Sequence, residues 1–390
     1  SPAAAPLGPG VAGGRAVNAR AETARTVASA PVLPSGPLAW LPLDLFGGEV
    51  TSVAVDPADA RVVYAGTRDA GVFKSTDGAA TWRAARAGLT FYPIRSLLVD
   101  PAGSATIWAG TDYDGVWKST DGGATWGRAG ASSTPGSMIV FNLAVDPRAA
   151  SVAYAACAGG IALSIGGVWK TSDGGATWTQ ADGGIPRSGG SATYTSGVFA
   201  FALDAAHPDS LIAGTVLQGI YRSNDAGATW SPVNEGVPFR YGSTDTLEEI
   251  NALAFDPHHG ARPAAVIGGR YFVRDAGTWT QLSGPAARLG FLPSDLAFHP
   301  TLVDVVFTAG GIFGFAKSAD GGASWTSPDG GTGIKKVTCA RTSPGRLFAA
   351  RPDDLDRLGS VAASSDDGEH WTSESMGILA ADVRSVAADP

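Results

Sequence analysis

Short apolar runs recur along this chain, and each is closed by a turn signal. The clearest is a run of apolar and small residues ended by Asp-Pro. It appears as Val53-Ala-Val55-Asp56-Pro57, Leu97-Leu-Val99-Asp100-Pro101 and Leu143-Ala-Val145-Asp146-Pro147. Weaker copies are Phe201-Ala-Leu203-Asp204, Leu253-Ala-Phe255-Asp256-Pro257 and Leu296-Ala-Phe298-His299-Pro300. Such a run reads as a buried inner strand entering a turn. A second strand follows, as in Val62-Val-Tyr64-Ala-Gly66-Thr67, and then a third, as in Gly71-Val-Phe73-Lys74-Ser75.

The third strand leads into an eight-residue phrase that is present seven times. It is first Ser75-Thr-Asp77-Gly-Ala79-Ala-Thr81-Trp82, then Ser119 to Trp126, Thr171 to Trp178 and Ser223 to Trp230. The later copies are Val273 to Trp279, Ser318 to Trp325 and Ser364 to Trp371, and successive tryptophans lie 44 to 52 residues apart. An Asp side chain accepts hydrogen bonds from nearby backbone N–H groups and so tightens a turn. Gly supplies backbone angles that other residues resist. The Trp heads a fourth strand and buries a large ring. Three copies depart from the pattern: Ala79 stands where others have Gly, His370 stands in the Thr/Ser place, and the fifth copy starts at Val273 and is one residue short. The fifth corner is therefore expected to be the most distorted.

Four antiparallel strands repeating with a period of 40–50 residues predict an all-β, seven-bladed β-propeller. Residues 39–390 are assigned to the propeller and residues 1–38, rich in Ala, Pro and Gly, to a flexible N-terminal extension. A surplus at each end, Ala39-Trp40 and Val383 to Pro390, leaves three possibilities open: a strand that closes the ring, a partial eighth blade, or a fragment of a longer protein.

The corner phrase resembles the Asp-box of bacterial neuraminidase repeat proteins over about residues 40–390. That family includes sialidases, two-propeller xyloglucanases, sortilin-type receptors and photosystem II assembly factors. The resemblance implies a propeller whose boxes lie away from the ligand face, so Asp77, Asp121, Asp173, Asp225, Asp275, Asp320 and Asp366 are expected to be structural. It does not fix a function, since one fold hosts many. The Phe/Tyr-Arg-Ile-Pro phrase of sialidases is missing; Pro93-Ile94-Arg95 and Ile185-Pro186-Arg187 have the wrong order. Ala109-Gly-Thr111-Asp112-Tyr-Asp114-Gly115 is similar in outline to a xyloglucanase segment and places Asp112 at the acid-bearing position, with Asp114 where that family has Gly.

Candidate chemistry is expected on the loops of the opposite face, those joining the second and third strands and those joining one blade to the next. Their aromatic and basic residues include Phe91, Tyr92, Tyr113, Arg187, Tyr194, Phe239, Arg240 and Tyr241. Aromatics stack on sugar rings and anchor protein interfaces, which points to a non-catalytic, exported scaffold for a protein or polysaccharide. The alternative is a glycoside hydrolase, or a fragment of one, with Asp112 or Asp114 as acid/base and Asp69 as partner, because glycoside hydrolysis requires paired carboxylates. Asp353, Asp354 and Asp356 form an acidic turn of the solvated kind. A net charge of −8 argues against a nucleic-acid surface. There is no apolar run of transmembrane length, and the histidines and cysteines lack zinc spacing. No cofactor or metal is expected, and the location expected is secreted or cell envelope. Cys157 and Cys339 form the one possible disulfide pair, a bond that their place in distant units disfavours.

Overall fold

The inner strand of the first blade, Val50–Val55, alternates buried and half-buried residues. Such alternation builds a strand with one face on a packed interior and one on a more open space. The second strands are buried throughout, as in Val63–Thr67 and Ile107–Thr111, because blades cover them on both sides. In the computed structural model seven antiparallel sheets follow in chain order, each with its strands in sequence order from inner to outer. The fold is a seven-bladed β-propeller of four-stranded antiparallel blades. The sixth blade's outer strand is reduced to one bridge, Lys317 to Thr326.

The structure describes residues 49–89, 93–130, 138–159, 166–186, 197–215, 218–244, 246–260, 262–282, 293–310, 314–328, 333–343, 345–351 and 360–374. The 1–38 extension, the Trp40 region, the acidic Asp353–Asp356 turn and the terminal Val383–Pro390 phrase lie outside these residues. No helix of the described residues is long and apolar enough to cross a membrane.

Seven apolar clusters hold the ring, and each straddles two neighbouring blades. One joins Val50, Phe73 and Trp82 of the first blade to Phe348 and Val361 of the seventh, and this packing closes the ring. The corner tryptophans reach back onto the preceding blade. Trp178 meets Trp108 edge-on at 6.0 Å, and Trp325 meets Tyr271 at 5.3 Å. The indole N–H groups of Trp126, Trp230 and Trp279 donate to the backbone carbonyls of Ala85, Ala181 and Val233, also one blade back, at 2.7–2.8 Å. Lysine adds a second tie: Lys74, Lys118 and Lys170 donate to carbonyls of the next blade's corner, Gly122, Gly174 and Ala226, at 2.8–2.9 Å.

Six corners share one hydrogen-bond pattern. In the second, Ser119 Oγ donates to Asp121 Oδ1 at 2.7 Å and accepts from the Gly123 N–H at 2.9 Å. Asp121 Oδ1 also accepts from the Thr125 N–H at 2.8 Å. Asp77, Asp173, Asp225, Asp320 and Asp366 repeat the arrangement. His370 replaces the hydroxyl in the last corner, its Nδ1 lying 2.7 Å from Asp366 Oδ2. Ala79 takes the left-handed φ of +78° that glycine holds elsewhere, such as Gly123 at +86°.

The fifth corner is a different structure. Val273 has no hydroxyl to bridge the turn, and the phrase is one residue short. Asp275 instead pairs with Thr278 across a two-residue hairpin, Ala276-Gly277, with φ of +48° and +90°, the geometry of a tight β-hairpin turn. Asp275 is exposed and lies 3.4 Å from Arg262, so it is a turn residue and not the acceptor of a corner network. Cys157 and Cys339 are both free thiols, in different inter-blade clusters.

Candidate functional site

In five of the seven inner strands the pairing with the second strand skips one residue. The skipped residues are Thr51, Arg95, Phe141, Phe199 and Asn251. A bulge leaves its extra residue unpaired and re-aims the side chain. Each stands two residues ahead of the inner-strand phrase. Ser294 and Lys335 hold the same offset in the sixth and seventh blades. All seven line one central cavity of about 190 Å³. One side chain per blade thus forms a ring round the channel, on the face opposite the corners.

The ring mixes charge, amide and aromatic surface. Phe141 and Phe199 lie with centroids 4.5 Å apart, and the Arg95 guanidinium sits 5.5 Å over Phe141. Arg95 forks onto Asp112, with Nε to Oδ1 at 2.8 Å and Nη2 to Oδ2 at 2.6 Å. This bidentate pairing is the strong form of a guanidinium–carboxylate contact. Lys335 reaches Glu49 at 2.9 Å, and Glu49 also takes Arg68. Those two cations hold the Glu49 carboxyl below its usual value against the opposing, and largest, effect of burial. Lys336 and Asp295 share the same wall. Burial raises the Asp295 carboxyl, Lys336 opposes the rise, and the carboxylate accepts from the Val337 N–H at 2.8 Å. Asn142 Oδ1, in the bulged inner strand of blade three, is buried with no hydrogen-bond partner among the described residues.

Asp112 and Asp114 sit in the turn joining the second and third strands of blade two, and both are buried. Both oxygens of Asp112 are taken by Arg95. Asp114 accepts from the Trp117 indole at 3.2 Å and pairs with Arg128 at 3.2 Å. Asp69, in the matching turn of blade one, is exposed. The structure therefore brings Asp112 to the ring through Arg95, while Asp114 is tied to its own blade.

Tyr113 is 44% exposed, at a φ of +71°, with its N–H on the Met138 carbonyl. Phe239, Arg240 and Tyr241 occupy the connection between blades four and five. That segment makes a small hairpin of its own, bridged at Phe239 and Leu247 and bonded from the Arg240 N–H to the Thr246 carbonyl. Phe239 is 55% exposed and Tyr241 fully so. Phe91, Tyr92, Arg187 and Tyr194 lie outside the described residues.

Sequence reasoning passes over the ring itself: Thr51, Phe141, Asn142, Phe199, Asn251, Lys335 and Lys336. The signal that finds it is the fixed offset from the inner-strand phrase, which carries a different residue type in nearly every copy.

No protein-family model matches the chain, and no curated protein matches it. Among solved structures it is similar to YCF48 bound to D1 peptide, with 17% identity and a TM-score of 0.57, covering 82% of this chain and 92% of that one. It is also similar to a chain of the COPII outer coat vertex on membranes, with 10% identity and a TM-score of 0.59 over 88% of this chain and 92% of that one. A third likeness is to an ancestral GH74 enzyme, with 18% identity and a TM-score of 0.55 over 85% of this chain and 46% of that one. At these identities the likeness is one of fold. The chain spans less than half the length of the GH74 enzyme.

Proposed function

We propose that this propeller is a non-catalytic, exported binding scaffold that holds a protein segment on its loop-rich face, over the mouth of the central channel. The observation that carries the reading is the ring itself. One side chain per blade, at one register position, supplies two phenylalanines in tilted contact, an arginine and a lysine. Asn142 adds an amide to the same cavity wall. Aromatic surface with a few fixed polar groups is the composition of a recognition site. Tyr113, Phe239 and Tyr241 add exposed aromatic surface on the loops.

Two further points support it. The six like corners fit an Asp-box propeller, in which corners are structural and ligands bind opposite. A propeller of this fold, YCF48, has been solved with D1 peptide, so the architecture accommodates a peptide ligand. The hydrolase alternative requires two carboxylates available to a sugar, whereas the oxygens of Asp112 and Asp114 are engaged by Arg95, Trp117 and Arg128. No observation favours it over binding.

The test is capture from a random peptide library, with a glycan array run in parallel. The bait is the wild-type chain or the Tyr113→Ala/Phe239→Ala/Tyr241→Ala variant. These residues are exposed, so the variant keeps the fold. Peptide capture that weakens about tenfold or more in the variant is expected, as for loss of interface anchors. Equal capture by both chains, or binding to glycans alone, would contradict the reading.

A further inference from the structure

The opposite half of the central channel is lined mainly by aliphatic side chains. Past the ring, toward the corners, the inner strands present Val53, Leu97, Leu143, Leu203 and Phe255 to a second chamber of about 410 Å³. Phe201 and Leu253 line both cavities and mark the boundary between them. The apolar stretch of each strand runs three residues, to the Asp-Pro turn, which is about 10 Å of extended chain. A chamber of this size falls within the range of small-molecule sites, which are mostly apolar with a few polar groups that fix orientation.

Asp56 and Arg341 are the charged residues that line the chamber. Asp56 is engaged, accepting from the Ala58 N–H of its own turn at 2.8 Å and from Ser104 Oγ of the next blade at 2.6 Å. Arg341 is exposed at the rim and has no ion-pair or hydrogen-bond partner among the described residues. Its planar guanidinium matches a carboxylate bidentately.

We propose that this chamber binds an amphiphile with a carboxylate head and an unbranched alkyl body, of the medium-chain fatty-acid type, with the head on Arg341 and the chain among the aliphatic residues of the inner strands. The site lies at the far end of the channel from the ring and does not rest on the scaffold reading.

The experiment uses the full chain and a dansyl-labelled undecanoate as fluorescent probe, with dodecanoate and dodecanol as competitors below their aggregation limits. Saturable one-to-one probe binding displaced by dodecanoate is expected. Arg341→Gln changes an exposed side chain, so it preserves the fold. It is expected to weaken dodecanoate about fivefold, as for a half-exposed ion pair, and to leave dodecanol unchanged. Location is read at Cys339, which lines the chamber, while Cys157 is fully buried elsewhere. Dodecanoate is expected to slow reaction of Cys339 with methyl methanethiosulfonate in proportion to occupancy. No probe binding, an Arg341→Gln variant that binds dodecanoate normally, or an unshielded Cys339 would each overturn the proposal. A chamber filled by the chain itself or by a partner's apolar segment would show as no probe binding with Cys339 already shielded, which also overturns it.

Discussion

Removing either partner of the Arg95–Asp112 fork should destabilise the propeller, and by unequal amounts. The Asp112 side chain is 10% exposed and that of Arg95 31%. Breaking a fully buried pair costs about 3–5 kcal/mol, because a charge is left without compensation. An exposed pair contributes about 0–1 kcal/mol. Arg95→Ala strands a nearly dry carboxylate and removes the packing over Phe141, so a loss of about 2–3 kcal/mol is expected, toward the buried limit. Asp112→Ala leaves an arginine that is already one-third exposed and can turn toward water, so about 1–2 kcal/mol is expected, nearer the surface limit. Urea unfolding of both single variants and the double variant, at fixed salt, measures the two losses and their coupling. A coupling of about 1–2 kcal/mol is expected for neighbours in one network. A coupling near zero, or an Asp112→Ala loss larger than that of Arg95→Ala, would refute the reasoning.

Acid should act through the corners. The carboxyls of Asp77, Asp121, Asp173 and Asp225 are held at about 2, first by the Thr hydroxyl that donates to each and then by that residue's backbone N–H. For Asp366 the His370 backbone N–H comes first, with the same result. These folded values lie below the unfolded value of about 3.9, so the contribution is complete above about pH 4 and is lost as pH falls toward 2. A thermal midpoint that is steady from neutral to about pH 4 and then drops steeply is expected, with a shallower drop in Asp121→Asn; a midpoint flat through pH 2 would contradict it. Trp126→Ala removes a buried ring and should cost about 3–5 kcal/mol, while Trp126→Phe keeps most of the packing, leaves the Ala85 carbonyl without its donor and should cost about 1–3 kcal/mol. Denaturant titration separates the two, and a Trp126→Phe loss near zero would show that the indole hydrogen bond contributes nothing.

The fold was legible because its unit is local. Ser119, Asp121, Gly123, Thr125 and Trp126 make one turn within eight residues, so the turn's chemistry is written contiguously, and its loss at Val273 is visible as a gap. The site was not legible in the same way. Asp112 looks like a free turn carboxylate beside Tyr113, and its partner Arg95 lies on the inner strand of the same blade, where only the bulge turns it into the channel. A one-residue bulge leaves an apolar run looking unbroken, so Phe141 and Phe199 read as strand core. Ring closure brings Lys335 to Glu49, which are neighbours only once blade seven meets blade one. Tyr113, Phe239 and Tyr241 could be singled out because turn and connection residues announce themselves, and their exposure follows from that position.

The most direct test of the central claim sets binding against turnover on one sample. The wild-type chain is incubated with soluble plant and host glycans under hydrolysis assay, and the same preparation is titrated with the tightest peptide from the library. Peptide binding that depends on Tyr113, Phe239 and Tyr241, with no release of reducing ends from any glycan, is the predicted result. Glycan hydrolysis by the wild type that disappears in Asp112→Ala, in a variant shown to remain folded, would contradict the account and make this propeller an enzyme.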